Sequence, residues 1–197
     1  MAKIDYVVGN AIEPRNARTI IAQGNNNIGA WGSGFVLAVD QLSPLPKQAY
    51  LKWAGFKSFH CKPDTCVPTD AILRKKQIVP FELGEIQLVE VTPDLYVANM
   101  ITQKSCGPFD HLIPFRYDSA RECLYRLYLA ATALNFDHVT TPRLGCGLAG
   151  AQWDKVEALI KAELVDRGIN VDVYDLPVQG KFISRVPEFP FQSKGKK

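Results

Sequence analysis

Long apolar runs are missing from this sequence of 197 residues. None approaches the roughly 18 to 20 residues that cross a bilayer, so a membrane-spanning helix is excluded. The opening MAKIDYVVGN lacks the apolar segment of a secretory signal, which makes a cytoplasmic protein the expectation. Cysteine occurs only at 61, 66, 106, 123 and 146, with no repeated spacing. Free thiols fit that odd number better than a disulfide framework. His60, Cys61 and Cys66 lack the second ligand pair of a structural zinc site, so no metal is expected. A one-signed charge excess is missing too. Lys and Arg total 23 against 20 Asp and Glu, and the last 17 residues hold five of those bases against Glu188 alone. Residues 1–180 therefore carry 18 bases and 19 acids. Phosphate contacts supply most of a nucleic-acid binder's affinity, so nucleic acid is not expected as the main partner.

What is present suits one globular domain, expected to be monomeric. Hydrophobic residues make up 47% and charged residues 22%, enough to build a sizeable core and too apolar for a disordered chain. Short β-branched stretches recur at Ile4–Val8, Thr19–Gln23, Ile86–Val91, Leu95–Met100, His138–Thr141 and Val171–Tyr174. Helical patterns lie between them. Phe35–Leu42 follows a glycine cluster, and Pro46 marks a helix start leading into KQAYLKW. Asp118 or Ser119 could cap SARECLYRLYLAATAL, and Trp153–Asp166 runs to a glycine stop at Gly168. The alternation predicts an α/β fold, a three-layer α/β/α sandwich around a mixed central sheet. The segment His60–Lys76 reads as an insertion or long loop. The domain is expected to span residues 1–176, with 177–197 a basic, partly disordered C-terminal extension.

Glycines cluster at two strand ends. After Thr19–Gln23 comes GNNNIGAWGSGF, and after His138–Thr141 comes PRLGCGLAG, each leading into a helix. Such turns let backbone N–H groups approach an anion, and the helix N-terminus adds positive dipole. Neither is a GxGxxG fingerprint or a Walker loop with its GK[ST]. Ligands of open α/β sheets sit beyond the carboxyl ends of the strands, where neighbouring loops part. Two glycine loops meeting there could hold a pyrophosphate with main-chain donors and no lysine. Asn25, Asn26 and Asn27 carry amides that suit sugar hydroxyls or an attacking water, or else form an Asx-rich turn. Trp31, Phe35 and Tyr117 could stack on a base or ribose, or pack as ordinary core aromatics.

The order of elements, with IIAQGNNNIGAWGSGFVLAV, VANMITQ, PFRYDSARECL and PRLGCGLAGAQWDKVEALI, resembles the macro domain, an ADP-ribose-binding α/β/α sandwich. The resemblance covers residues 3–176 and is closest to the branch containing the ADP-ribose 1″-phosphate phosphatases. It implies a small-molecule ligand, ADP-ribose or a derivative, and no cofactor. By the same resemblance, Asn10 stands where the family has an acidic residue reading the adenine amino group, and Ala11 offers backbone to the adenine. Gln23 stands where the phosphatase branch often has a histidine, and Asn26 faces the distal ribose. Gly29, Ala30, Trp31, Gly32, Ser33, Gly34 and Phe35 form the first phosphate loop. Gly145, Cys146, Gly147, Leu148, Ala149 and Gly150 form the second, with Met100 and Gln103 near the distal ribose.

The departures bear on mechanism. The terminal ADP-ribose glycohydrolase of the family uses a lysine where Gln103 stands and an aspartate where Ala149 stands. Gln cannot form the lysine adduct and alanine cannot act as acid or base, so that mechanism is not expected. The expected reaction is hydrolysis of ADP-ribose 1″-phosphate to ADP-ribose and phosphate, with water positioned near Asn26 and Asn27 and His111 the candidate titrating group. Two alternatives stand beside it: a non-catalytic ADP-ribose reader, and a hydrolase of another distal-ribose adduct such as an O-acyl or ADP-ribosyl ester. An RNA-associated module led by the basic tail ranks behind them.

Overall fold

A computed structural model describes residues 1–55, 79–106 and 113–177, together with the backbone of 66–68. Seven strands form one mixed sheet in the order β1-β7-β6-β2-β5-β4-β3. They are β1 (Ile4–Val8), β2 (Thr19–Asn26), β3 (Cys66–Pro68), β4 (Ile86–Thr92), β5 (Leu95–Gln103), β6 (His138–Pro142) and β7 (Asn170–Asp175). Pairing is parallel from β1 through β7, β6 and β2 to β5, and antiparallel from β5 through β4 to β3. Among the described residues four helices cover it: α1 (Val36–Leu42), α2 (Leu45–Trp53), α3 (Tyr117–Ala133) and α4 (Trp153–Glu163).

The two-residue period of β2 explains the layers. Ile20 and Ala22 point to one face and join Leu124 and Leu127 of α3 and Ile160 of α4 in the largest core cluster. Ile21 points to the other face, where it meets Val39 of α1 and Val97 of β5. A strand apolar on both faces must be covered on both, and that forces three layers. Among the described residues no helix is long and apolar enough to cross a membrane, and no three metal-ligating side chains cluster.

Several local expectations need correction. The stretch read as a loop at His60–Lys76 contributes the three-residue edge strand β3; the rest of it lies outside the described residues, as do His111 and everything beyond Pro177. Neither Asp118 nor Ser119 caps α3. Arg116 is its extended N-cap, which moves Asp118 into the first turn, where its charge still suits the dipole. The helix assigned to Pro46 begins one residue earlier, at Leu45. Gly168 does end its segment, in a left-handed conformation with φ 99°, after a 3-10 turn over Val165–Arg167.

Candidate ligand-binding cleft

β2 and β6 end side by side, and the loops that follow them form facing walls of one cleft of about 710 Å³. The first loop is folded around Asn26. Its Oδ1 accepts from the backbone N–H of Ile28 at 3.1 Å and of Ala30 at 2.9 Å, while its Nδ2 donates to the Ala30 carbonyl at 2.7 Å. The buried Tyr50 hydroxyl, from α2, bridges the Asn26 carbonyl at 2.6 Å and its Oδ1 at 3.0 Å. Gly29 and Gly34 turn the loop at φ 76° and 77°, values that only glycine adopts cheaply. Trp31 is pinned too: its Nε1 donates to Asp40 at 3.0 Å, and its ring packs 5.4 Å from that of Tyr50.

The second loop is fixed at its base by Arg143. Its guanidinium grips Asp175 of β7 through two bonds of 2.6 and 2.8 Å and lies over the rings of Trp153 and Tyr6. Leu144 is buried, and a Cβ on Gly145 would fall inside the Phe115 ring. The loop closes on itself through Cys146 N–H to Arg143, Gly150 N–H to Gly147 and Ala151 N–H to Gly145. Burial pushes the Cys146 thiol up to about 11, so it stays protonated at neutral pH.

The donors left over define the chemistry. Among the described residues, no acceptor takes the backbone N–H of Gly32, Ser33, Gly34 or Phe35 on one wall, or of Gly147, Leu148 or Ala149 on the other. All seven residues line the cleft. Its lining contains one cation, Arg143, already paired with Asp175, and no carboxylate or imidazole among the described residues. Such a site is suited to an anion held by main-chain dipoles.

The cleft brings together Asn26, Ala30, Trp31, Gly32, Ser33, Gly34, Phe35, Gln103, Gly145, Gly147, Leu148 and Ala149. Gly29, Cys146 and Gly150 shape the loops without lining it. Other expected positions are displaced from it. Gln23 points under α2 and donates to Asn99 at 2.6 Å, and Met100 faces the core beneath α3 on the opposite side of the sheet; both sit further back along their strands and neither lines the cleft. Asn27 is spent on the Ser105 N–H at 2.8 Å. Asn10 folds its amide onto the Ile12 N–H at 3.3 Å, and Ala11 is buried beside it; neither lines the cleft. Tyr117 instead accepts from the Gln152 N–H at 2.9 Å, bracing the start of α4. Arg143 and Leu144, which open the second loop in the sequence, also line the cleft although neither was expected to touch the ligand, because a lone loop arginine or leucine carries no local pattern.

No family model and no curated protein matches the chain. Solved structures do. It is 37% identical to a protein of unknown function from Bacteroides thetaiotaomicron, with TM-score 0.75 over 89% of this chain and 99% of that one. It is 36% identical to a macrodomain protein from Streptomyces coelicolor, with TM-score 0.67 over 88% and 99%. At 14% identity and TM-score 0.56, the Trypanosoma brucei macrodomain in complex with ADP-ribose shares the fold over 87% of this chain and 63% of its own.

Proposed function

The chain belongs to the macrodomain family, and on that premise we propose that its cleft binds ADP-ribose, with the diphosphate held between the two glycine loops. The observation that carries this is the set of backbone N–H groups on both facing walls that have no acceptor among the described residues. A diphosphate offers acceptors on both sides and suits exactly such a clamp. The T. brucei macrodomain, which shares the fold, is in complex with ADP-ribose. The reading is of binding alone, because the described lining offers no group to activate water. Hydrolysis of ADP-ribose 1″-phosphate needs a group to activate water, and the described lining supplies no carboxylate or imidazole. The Asn26 amide is committed to its own loop.

Calorimetry with the full chain tests the reading. ADP-ribose is expected to bind with a stoichiometry of one, and heats no larger than dilution overturn the proposal. Incubation with ADP-ribose 1″-phosphate is expected to release no phosphate above buffer. Release that survives further purification would make the protein a hydrolase and restore the expectation drawn from the phosphatase branch.

A further inference from the structure

Of the three free cysteines among the described residues, only Cys106 is exposed. Cys123 is fully buried on the core face of α3, and Cys146 is buried in the second loop, where its thiol stays protonated. Cys106 follows the end of β5 by three residues and lines the cleft with Gln103 and Pro114. The turn that carries it is fixed on both sides. The Lys104 N–H donates to the Pro114 carbonyl at 2.9 Å, and the Ser105 N–H donates to Asn27 Oδ1 at 2.8 Å. Ser105 itself is left-handed, φ 65°, a conformation that costs a serine energy and that these bonds hold.

A second observation marks the space beside this thiol as one that takes a ligand. Asn25 is 2% exposed, lines the same cleft, and has no partner at either Nδ2 or Oδ1 among the described residues. A buried amide orphaned at both ends is costly, and an occupant of the cleft would satisfy it. Asn25 pairs with Ile101 and Asn26 with Gln103, so the orphaned amide and the Cys106 turn belong to adjoining ends of β2 and β5. An exposed thiol at such a place attacks a disulfide sulfur. The backbone N–H groups free on both walls favour a modifying group that also carries carboxylates, which only accept hydrogen bonds.

We propose that Cys106 is a covalent modification site for a small acidic disulfide of the glutathione type, and that the attached group and ADP-ribose compete for the cleft. This rests on the ADP-ribose reading above. The exchange needs no further oxidant. The Cys106 thiol gives its proton to water and its sulfur attacks one sulfur of the disulfide. The mixed disulfide forms, the original S–S bond breaks, and the other half leaves as a thiolate. Cys106 is oxidised and the small disulfide is reduced, and a second free thiol reverses the step.

The test treats the full chain with oxidised glutathione and maps the modified peptides by mass. Cys106 is expected to take up glutathione, while Cys123 and Cys146 take up none until the protein is unfolded. Saturating ADP-ribose is expected to slow uptake at Cys106 about tenfold, because access governs the exchange. Calorimetry on the modified protein should show ADP-ribose binding weakened about tenfold or more, with recovery on reduction by dithiothreitol. Cys106→Ser should bind ADP-ribose equally well before and after the treatment, which separates this thiol from Cys61 and Cys66. The assignment is overturned by a Cys106 that stays unmodified, by uptake that ADP-ribose does not slow, or by full modification that leaves the affinity unchanged. A treated Cys106→Ser that weakens as the wild type does overturns it as well. Reduced wild-type protein that gives no heat with ADP-ribose overturns the ADP-ribose reading instead, and the competition falls with it.

Discussion

Tyr50 shows how a single buried hydroxyl can hold a binding loop. Its ring packs against Trp31 and Phe81, each at 5.4 Å between centroids, and its hydroxyl is the one group from α2 that reaches both oxygens of Asn26. Burial pushes that phenol well above its ordinary range, so it stays protonated and a donor at neutral pH. Tyr50→Phe keeps the ring and removes only the donor. The expected stability loss is about 1 kcal/mol, read as a shift in a denaturant melt. ADP-ribose affinity should fall severalfold, because the first loop loses its fixed curvature. An unchanged affinity would mean that Asn26 shapes the loop unaided.

At the scale of elements, α2 docks on the sheet through buried amides as well as through the apolar cluster of Tyr50, Leu51 and Ile101. Asn99 of β5 accepts from Gln23 at 2.6 Å and donates to the Pro46 carbonyl at 3.0 Å and to Gln87 at 3.2 Å. Gln87 in turn donates to the Ala49 carbonyl at 3.2 Å. Asn99→Ala would strand several buried partners at once, so a loss on the order of 3 kcal/mol is expected in denaturant. Asn25→Ala, two residues along from Gln23 on the same strand, should cost nothing in the same experiment. That contrast separates an amide bonded into the fold from one with no bonded partner among the described residues. It also explains what the sequence could and could not reveal. The apolar parts of β2 and β5 announce themselves as strands, and Gly29, Gly34 and Gly145 mark the turns. The polar ends, Gly24–Asn26 and Ile101–Gln103, look like loop by composition, yet they are buried or nearly so and continue the ladder. How far each strand runs, with a register shift between Asn25 and Asn26, decides which end residues reach the cleft, and no residue type records that. Arg143 escapes notice for a different reason: its partners Asp175, Trp153 and Tyr6 are distant in sequence and meet only when β1, β6 and β7 align.

For the whole molecule, the proposed ligand raises the question of how a body with 18 bases and 19 acids over residues 1–180 would take up a dianion. Lysine-rich sites attract such ligands over long range, and that attraction decays as salt shortens the Debye length from about 10 Å at 0.1 M. In the proposed complex the donors are backbone N–H groups, and the one lining cation among the described residues is neutralised by Asp175. Short-range dipoles inside a partly enclosed cleft are screened far less than surface charges. ADP-ribose affinity measured by calorimetry should therefore fall less than about threefold between 50 and 300 mM salt. A drop of tenfold or more would mean that cations outside the described lining supply the grip, with the lysines near the C-terminus the first to replace. The expected shallow slope also separates this ligand from RNA, whose binding to any basic segment would weaken steeply over the same range.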